Sequence, residues 1–244
     1  MPLRRDGRGS DMIVSVHLGV RAARTALGRP PRPGAVPGLR FATTALTGAL
    51  AAGPPAVRPG RAALLASWDD DAALDRFLAE DPLARRLAGG WQVRLRPVRV
   101  LGAWSPLPVE TDPDAALTDE DGPVAVLTLG SLRLRRTVPF LRANSRAAGR
   151  AAADPSMLAA VALARPPRFV ATFSIWRTVS AMSRYAYGTA HPQHRATIRE
   201  HRAEPFHHEA AFVRCRPYGA RGTLDGSDPM ATAARDPSRP KLAG

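Results

Sequence analysis

Cysteine and lysine are almost absent from this chain. Cys215 is the one cysteine in 244 residues, so no internal disulfide framework can staple the fold. No CxxC and no HExxH occurs, which leaves a zinc site without its usual ligand spacing. Lys241 is the only lysine, so the formal net charge of +14 is an arginine charge. The arginines are spread along the chain, and alanine, proline and glycine are abundant with them, as GC-rich coding produces. The basicity is therefore not read as a nucleic-acid surface. It suits anionic ligands or a peripheral contact with an anionic membrane better. No run of 18 apolar residues exists, which argues against a transmembrane helix. The segment MIVSVHLGV follows Arg4 and Arg5 but is too short for a signal-peptide core and has no cleavage site after it, so a cytoplasmic location is expected. Walker A, Gly-rich dinucleotide and GxSxG patterns are also missing. Cys215, inside VRCRP, reads as a small core side chain rather than a reactive thiol.

What the chain does have is a repeat, within a composition that is 45% hydrophobic and can bury a sizeable core. Residues 62–68 (AALLASW) lead to AALDRFL, a proline and VRLRP; residues 170–176 (VATFSIW) lead to SAMSRYAYG, a proline and VRCRP. Trp68 matches Trp176, Ala73 matches Ala181, Leu74 matches Met182 and Phe77 matches Tyr185. Pro82, Arg94, Arg96, Pro97 and Gly102 match Pro192, Arg214, Arg216, Pro217 and Gly222. A repeat this long, occurring twice, indicates a duplicated domain and not a solenoid.

Alternation and β-branched residues predict strands over 12–18, 38–46, 62–68, 91–100, 123–129, 157–164, 168–176 and 208–216. Helical patterns fall at 20–27, 71–79, 132–152, 178–187 and 194–203, the second capped by one of Asp69, Asp70 and Asp71. The expected organisation is a disordered N-terminus (1–10), a first repeat (11–109), an acidic linker (110–122), a second repeat (123–224) and a mobile tail (225–244). The order is βαββαβ, twice. This predicts an α+β fold in which duplicated ferredoxin-like units form a dimeric-α/β-barrel-like, two-sheet barrel within one chain. The space between the sheets is then the expected ligand pocket.

Five of six histidines, His191, His194, His201, His207 and His208, fall within 18 residues; His17 stands apart on the first strand. One reading makes them loop and surface residues. The sharper one makes one of them an axial ligand of haem iron, with arginines to pair the propionates. His194 and His201 lie two helical turns apart, and only one of His207 and His208 can point into a barrel. Arg214 and Arg216 share a strand face, as do Arg94 and Arg96. A solvated face is the simpler reading, and anion or propionate binding the alternative. Trp68 and Trp176 close equivalent strands, where they serve as core aromatics or as the lining of a substrate cavity.

The segments ATFSIW (171–176), AMSRYAY (181–187), HRATIREHRAE (194–204) and FVRCRP (212–217) resemble the spheroidene monooxygenase family of carotenoid-biosynthesis oxygenases. PGLRFA (37–42), LASWDD (65–70), LRP (95–97) and GAWS (102–105) extend the resemblance over about residues 11–226. It implies an oxygenase that uses O2 and haem, takes electrons from a donor, and introduces a keto or hydroxyl group into a polyene or similar hydrophobic small molecule. His194 matches the family pattern best and is the implied iron ligand, with His207 and His208 next. The chain departs from the family at Phe206, His207 and His208, where members carry Trp-Tyr-Ser. A cofactor-free α+β-barrel monooxygenase, acting through deprotonation of its substrate, and a non-catalytic ligand-binding barrel are the competing readings.

Overall fold

The structure is a computed structural model that describes residues 11–20, 23–50, 57–111, 116–137, 139–140, 149, 153–187 and 206–234. Its strands are β1 (Ile13–Gly19), β2 (Leu39–Ala49), β3 (Val57–Trp68), β4 (Trp91–Ala103), β5 (Val124–Leu132), β6 (Met157–Arg165), β7 (Phe169–Trp176) and β8 (His207–Gly222). They close into one antiparallel barrel in the order β1-β3-β2-β6-β7-β5-β8-β4. The first half contributes the run β4-β1-β3-β2 and the second the run β8-β5-β7-β6. The two runs meet at unequal seams. β2 and β6 share four residue pairs, Leu46↔Ala164 to Ala49↔Val161. β4 and β8 share eleven, from Trp91↔Gly222 to Ala103↔Ala210.

Alternation puts one side of each strand into the barrel. Val14, Leu65, Leu95, Leu127, Phe173 and Val213 meet there in a fully buried cluster. The interior is thus filled with side chains, and the ligand space expected between the sheets is corrected to a packed core. Aliphatic and aromatic groups from eight strands interdigitate at the density normal for protein interiors. Trp104 and Leu107, from the β4–β5 connection, join this core at one end, and Leu224 and Met230 pack against it from the chain after β8.

The helices are α1 (Ala23–Ala26), α2 (Asp71–Glu80), α3 (Pro82–Leu87), α4 (Val179–Tyr187) and α5 (Pro229–Ala234), of which α2, α3 and α4 pack on the outside of the barrel. Asp70 caps α2 by accepting from the Ala73 amide at 2.8 Å. Asp81 caps α3 by accepting from the Leu83 amide at 2.7 Å. The sequence reading stopped at α2 because Pro82 looks like a breaker. At the first helical position, however, its missing N–H costs nothing, and it starts α3.

The tail expected to be mobile is ordered as far as 234. Leu224 and Ser227 exchange backbone hydrogen bonds of 2.8 and 3.2 Å across a tight turn. Asp225 (φ 54°) and Gly226 (φ 87°) make that turn with left-handed backbones. Asp228 then accepts from the Met230 amide at 3.0 Å and from Trp91 Nε1 at 3.1 Å. Residues 235–244 lie outside the described residues. The helix expected over 132–152 begins as a short 3-10 turn, Leu134–Arg136, and 141–148 are outside the description. The expected helical turn at 194–203 is outside it too. No described helix is long and apolar enough to cross a membrane.

Candidate active site

One end of the barrel opens into a cavity of about 330 Å³. The starts of β2 and β7, the end of β5, the β6–β7 turn and the segment after β4 form its walls. Three aromatic rings dominate it. Trp104 stands edge-on to Phe41 with ring centres 5.5 Å apart, and tilts over Phe169 at 5.2 Å. Its indole Nε1 donates to Ser131 Oγ at 2.9 Å, which fixes the ring plane and satisfies a donor that is nearly buried. Ser105, the next residue, is anchored as well. Its amide and its hydroxyl donate to the Glu209 carboxylate at 3.1 and 2.5 Å. The hydroxyl bond and then the amide bond hold that carboxyl below the ordinary carboxylate range.

Two arginines border the cavity through Pro166 and Pro167. Arg165 Nη1 donates to Thr44 Oγ1 at 2.6 Å and to the Thr44 carbonyl at 3.3 Å. Arg168 Nη1 donates to the Leu132 carbonyl at 3.2 Å and lies 2.8 Å from His208 Nε2. A guanidinium only donates, so His208 Nε2 accepts in this contact. The cavity is therefore an aromatic slot with a cationic, hydrogen-bonded rim. Such a lining holds an apolar body by dispersion and leaves a polar end near the arginines.

The residues singled out in the sequence fall elsewhere. Trp68 and Trp176 face outward, so the expectation that they line the enclosed cavity is corrected. In β3 the residues Ala63 and Leu65 point inward, and Ala62, Leu64, Ala66 and Trp68 carry the opposite parity and meet α2 and α3. Trp68 packs on Phe77 at 4.9 Å and Trp176 on Tyr185 at 4.9 Å, the same contact in both halves. Trp68 Nε1 donates to Ser15 Oγ at 2.9 Å, and that hydroxyl also bonds His17 Nε2 at 2.9 Å. His17 is sealed beneath α2, and burial pushes its pKa down to about 4. Cys215 is fully buried in the barrel core, and burial pushes its thiol up.

Arg214 and Arg216 alternate with buried Val213 and Cys215 and so face outward, away from the barrel interior. Arg216 pairs with Asp121 at 2.6 Å. His207 lies on the outer face of β5. Its ring stands edge-on to Phe140 at 5.1 Å, and a Cβ at Gly130 would sit 2.5 Å from its Cδ2, so the glycine makes room for it. His208 is at the cavity rim through Arg168. His194, His191 and His201 lie outside the described residues.

A haem site requires an axial ligand aimed into open volume. Among the described residues the cavity wall carries no histidine, cysteine, methionine or tyrosine. His17 is sealed away from it, and His207 is packed on the outer face. His208 is within reach of the rim but spends Nε2 on Arg168. No described group of three or more His, Cys, Asp or Glu converges as a metal site. The described residues do not fit a haem. Sequence reasoning missed Phe41, Trp104, Arg165, Arg168 and Phe169. Trp104 was visible only as part of GAWS, and the PPR turn (166–168) was visible only as a break between strands.

No protein-family model matches the chain. Among curated proteins, a spheroidene monooxygenase of Rubrivivax gelatinosus is 30% identical over 240 residues, covering 91% of this chain and 88% of that protein. A spheroidene monooxygenase of Rhodobacter capsulatus is 26% identical over 175 residues, covering 70% and 72%. Among solved structures, an aldoxime dehydratase in complex with butyraldoxime covers 85% of this chain and 80% of its own, at 12% identity and a TM-score of 0.44. On the sequence match, which spans nearly the whole of both proteins, the chain belongs to the spheroidene monooxygenase family and is a monooxygenase.

Proposed function

We propose that this monooxygenase introduces oxygen, as a keto or hydroxyl group, into a hydrophobic polyene, and that the reacting segment of the chain lies in the aromatic slot at the barrel mouth. The observation that carries the reading is the open cavity of about 330 Å³ walled by Phe41, Trp104 and Phe169. A wall of three rings at one barrel end suits one segment of a long polyene. Flat conjugated chains stack well on tilted aromatic rings. His208 and the arginines at the rim suit the oxygenated end that the reaction would create.

Haem as cofactor and an electron donor as partner belong to the same proposal and rest on His194. A visible spectrum tests this part: a Soret band at one haem per chain, lost in His194→Ala, supports it. The cofactor-free alternative draws on one observation, the cavity wall without a described iron ligand. Oxygenation by metal-free protein would establish that alternative. The central experiment is expression in cells that accumulate an acyclic polyene, under isotopically labelled O2. Labelled oxygen in the polyene is expected, with most of the product lost in Trp104→Ala. An unaltered polyene in cells holding folded protein would overturn the assignment.

The repeated strand order and the repeated Trp-to-aromatic contact also support reading the barrel as two ferredoxin-like units joined in one chain.

A further inference from the structure

The outer face of the long β4·β8 seam carries three rungs that set like beside like. Arg96 stands directly opposite Arg216, Arg99 opposite Arg214, and Leu101 opposite Phe212. Like charges placed opposite each other on neighbouring strands destabilise a sheet, and here two such rungs follow one another. The third rung is apolar and open to solvent, with Leu101 40% and Phe212 49% exposed. Two other parts of the described outer face are covered. Helices α2 and α3 cover the β1–β3 region, and α4 packs over Trp176.

We propose that this strip is a docking surface for an anionic lipid bilayer, in which Arg96, Arg99, Arg214 and Arg216 meet the headgroups while Leu101 and Phe212 insert beside them. Charge selects the occupant. Arg216 pairs with Asp121 at 2.6 Å, and Arg96 and Arg99 are exposed. Arg96 already leans on the Tyr218 ring at 5.2 Å, which orients its guanidinium without neutralising it. A second copy of the chain would set arginines against arginines across a two-fold axis, since an isologous interface opposes each patch with itself. Anionic headgroups complement the exposed guanidinium groups instead. The exposed apolar pair adds the shallow insertion that a purely ionic contact lacks.

The position of the strip fits the chemistry of the mouth. Leu101 precedes Trp104 by three residues on the same chain, roughly 10 Å at the rise of an extended strand. Phe212 lies on the strand that begins at His207 and His208. Docking through this strip would bring the aromatic slot close to the bilayer, where a long polyene dissolves. The inference goes beyond the proposed function but takes its sense from it.

The test is co-sedimentation of the full-length protein with vesicles of phosphatidylcholine alone and of phosphatidylcholine mixed with phosphatidylglycerol. Partitioning onto the anionic vesicles only, weakening as salt is raised, is expected. Arg99→Gln, at an exposed rung, should lower the partition coefficient about five-fold. Arg99→Gln with Arg214→Gln should lower it more than ten-fold, and Leu101→Ser with Phe212→Ser should also reduce it. Arg85→Gln with Arg86→Gln, on α3, should leave it unchanged, and thermal melts check that each variant is folded. Equal binding to both vesicle types, no binding to either, or anionic binding that ignores the strip variants would overturn the proposal. Loss of vesicle binding through self-association of the chain would overturn it too. The readout needs no substrate, so a chain that partitions as described yet leaves polyenes unoxidised would sink the functional reading alone.

Discussion

The two halves share a strand order, and the described residues outside the sheet pack differently over each. Over the first half, α2 and α3 bury an eleven-residue cluster in which Trp68, Phe77, Leu74 and Leu87 meet the backs of β1 and β3. Over the second, the described cluster has three buried members, Val124, Trp176 and Met182. The buried polar groups follow the same split, with Ser15, His17 and Trp68 forming a hydrogen-bonded chain beneath α2. The open cavity is lined from both halves, by Phe41 and Trp104 from the first and by Ser131 and the Arg165–Phe169 turn from the second. The halves thus share the mouth, while the described packing outside the sheet is richest over the first.

Substitution of the matched tryptophans tests this division most severely. Trp68→Ala should cost about 3–5 kcal/mol, as large aromatic truncations in tight cores do, and it also orphans the Ser15 bond. Trp176→Ala should fall at or below the low end of that range. Urea denaturation of both variants gives the answer, and equal losses would break the comparison. Next in size is a pH effect confined to the first half. His17 is held neutral in the folded chain down to about pH 4, whereas the unfolded chain protonates it near 6.5. The unfolded state therefore binds more protons in that window. Stability should be complete above pH 6.5 and fall by roughly 3 kcal/mol as the pH drops to 4. Denaturation midpoints across that range should show the slope, and His17→Leu should flatten it.

At the mouth, Trp104→Phe removes the bond to Ser131 and should cost about 1 kcal/mol in stability. Its larger effect should be on oxygenation of the polyene, the reverse of the balance expected for Trp68. Smallest is Asp225→Asn, which weakens the bridges to Arg58 at 2.6 Å and Arg61 at 2.5 Å. These pairs are half exposed and contribute about 0–1 kcal/mol. Limited proteolysis should nevertheless cut after β8 somewhat sooner in the variant.

The strand pattern was legible because alternation and β-branching survive in one sequence without knowledge of partners. All eight strands were expected, although β3 begins at Val57 rather than 62 and β8 runs on to Gly222 rather than 216. Which face of a strand becomes the interior was not legible. Residues 62–68 read AALLASW, apolar on both sides, because β3 is buried by the barrel within and by α2 without. Parity alone could not say that Trp68 belongs to the outer layer and Leu65 to the inner one. The helix α3 was hidden by Pro82, whose meaning depends on whether a helix ends or begins there. The ordered tail was hidden because its anchoring is done by Asp228 and one methionine rather than by a run of large apolar residues. The mouth was the least visible part. Phe41, Trp104 and Phe169 are far apart in sequence and become neighbours only once β2, β4 and β7 are placed around a closed sheet.

Closure also decides how this chain relates to itself. Each four-strand run, taken alone, would leave two outer strands unpaired, β2 and β4 in the first and β6 and β8 in the second, and such edges recruit other chains. Here every edge finds its partner in the same polypeptide, at a high effective concentration set by the segment between β4 and β5. A seam of four residue pairs between β2 and β6 can then suffice, because it never has to capture its partner from solution. Cut at that segment, the two pieces would have to find each other, and reassembly would become a matter of protein concentration.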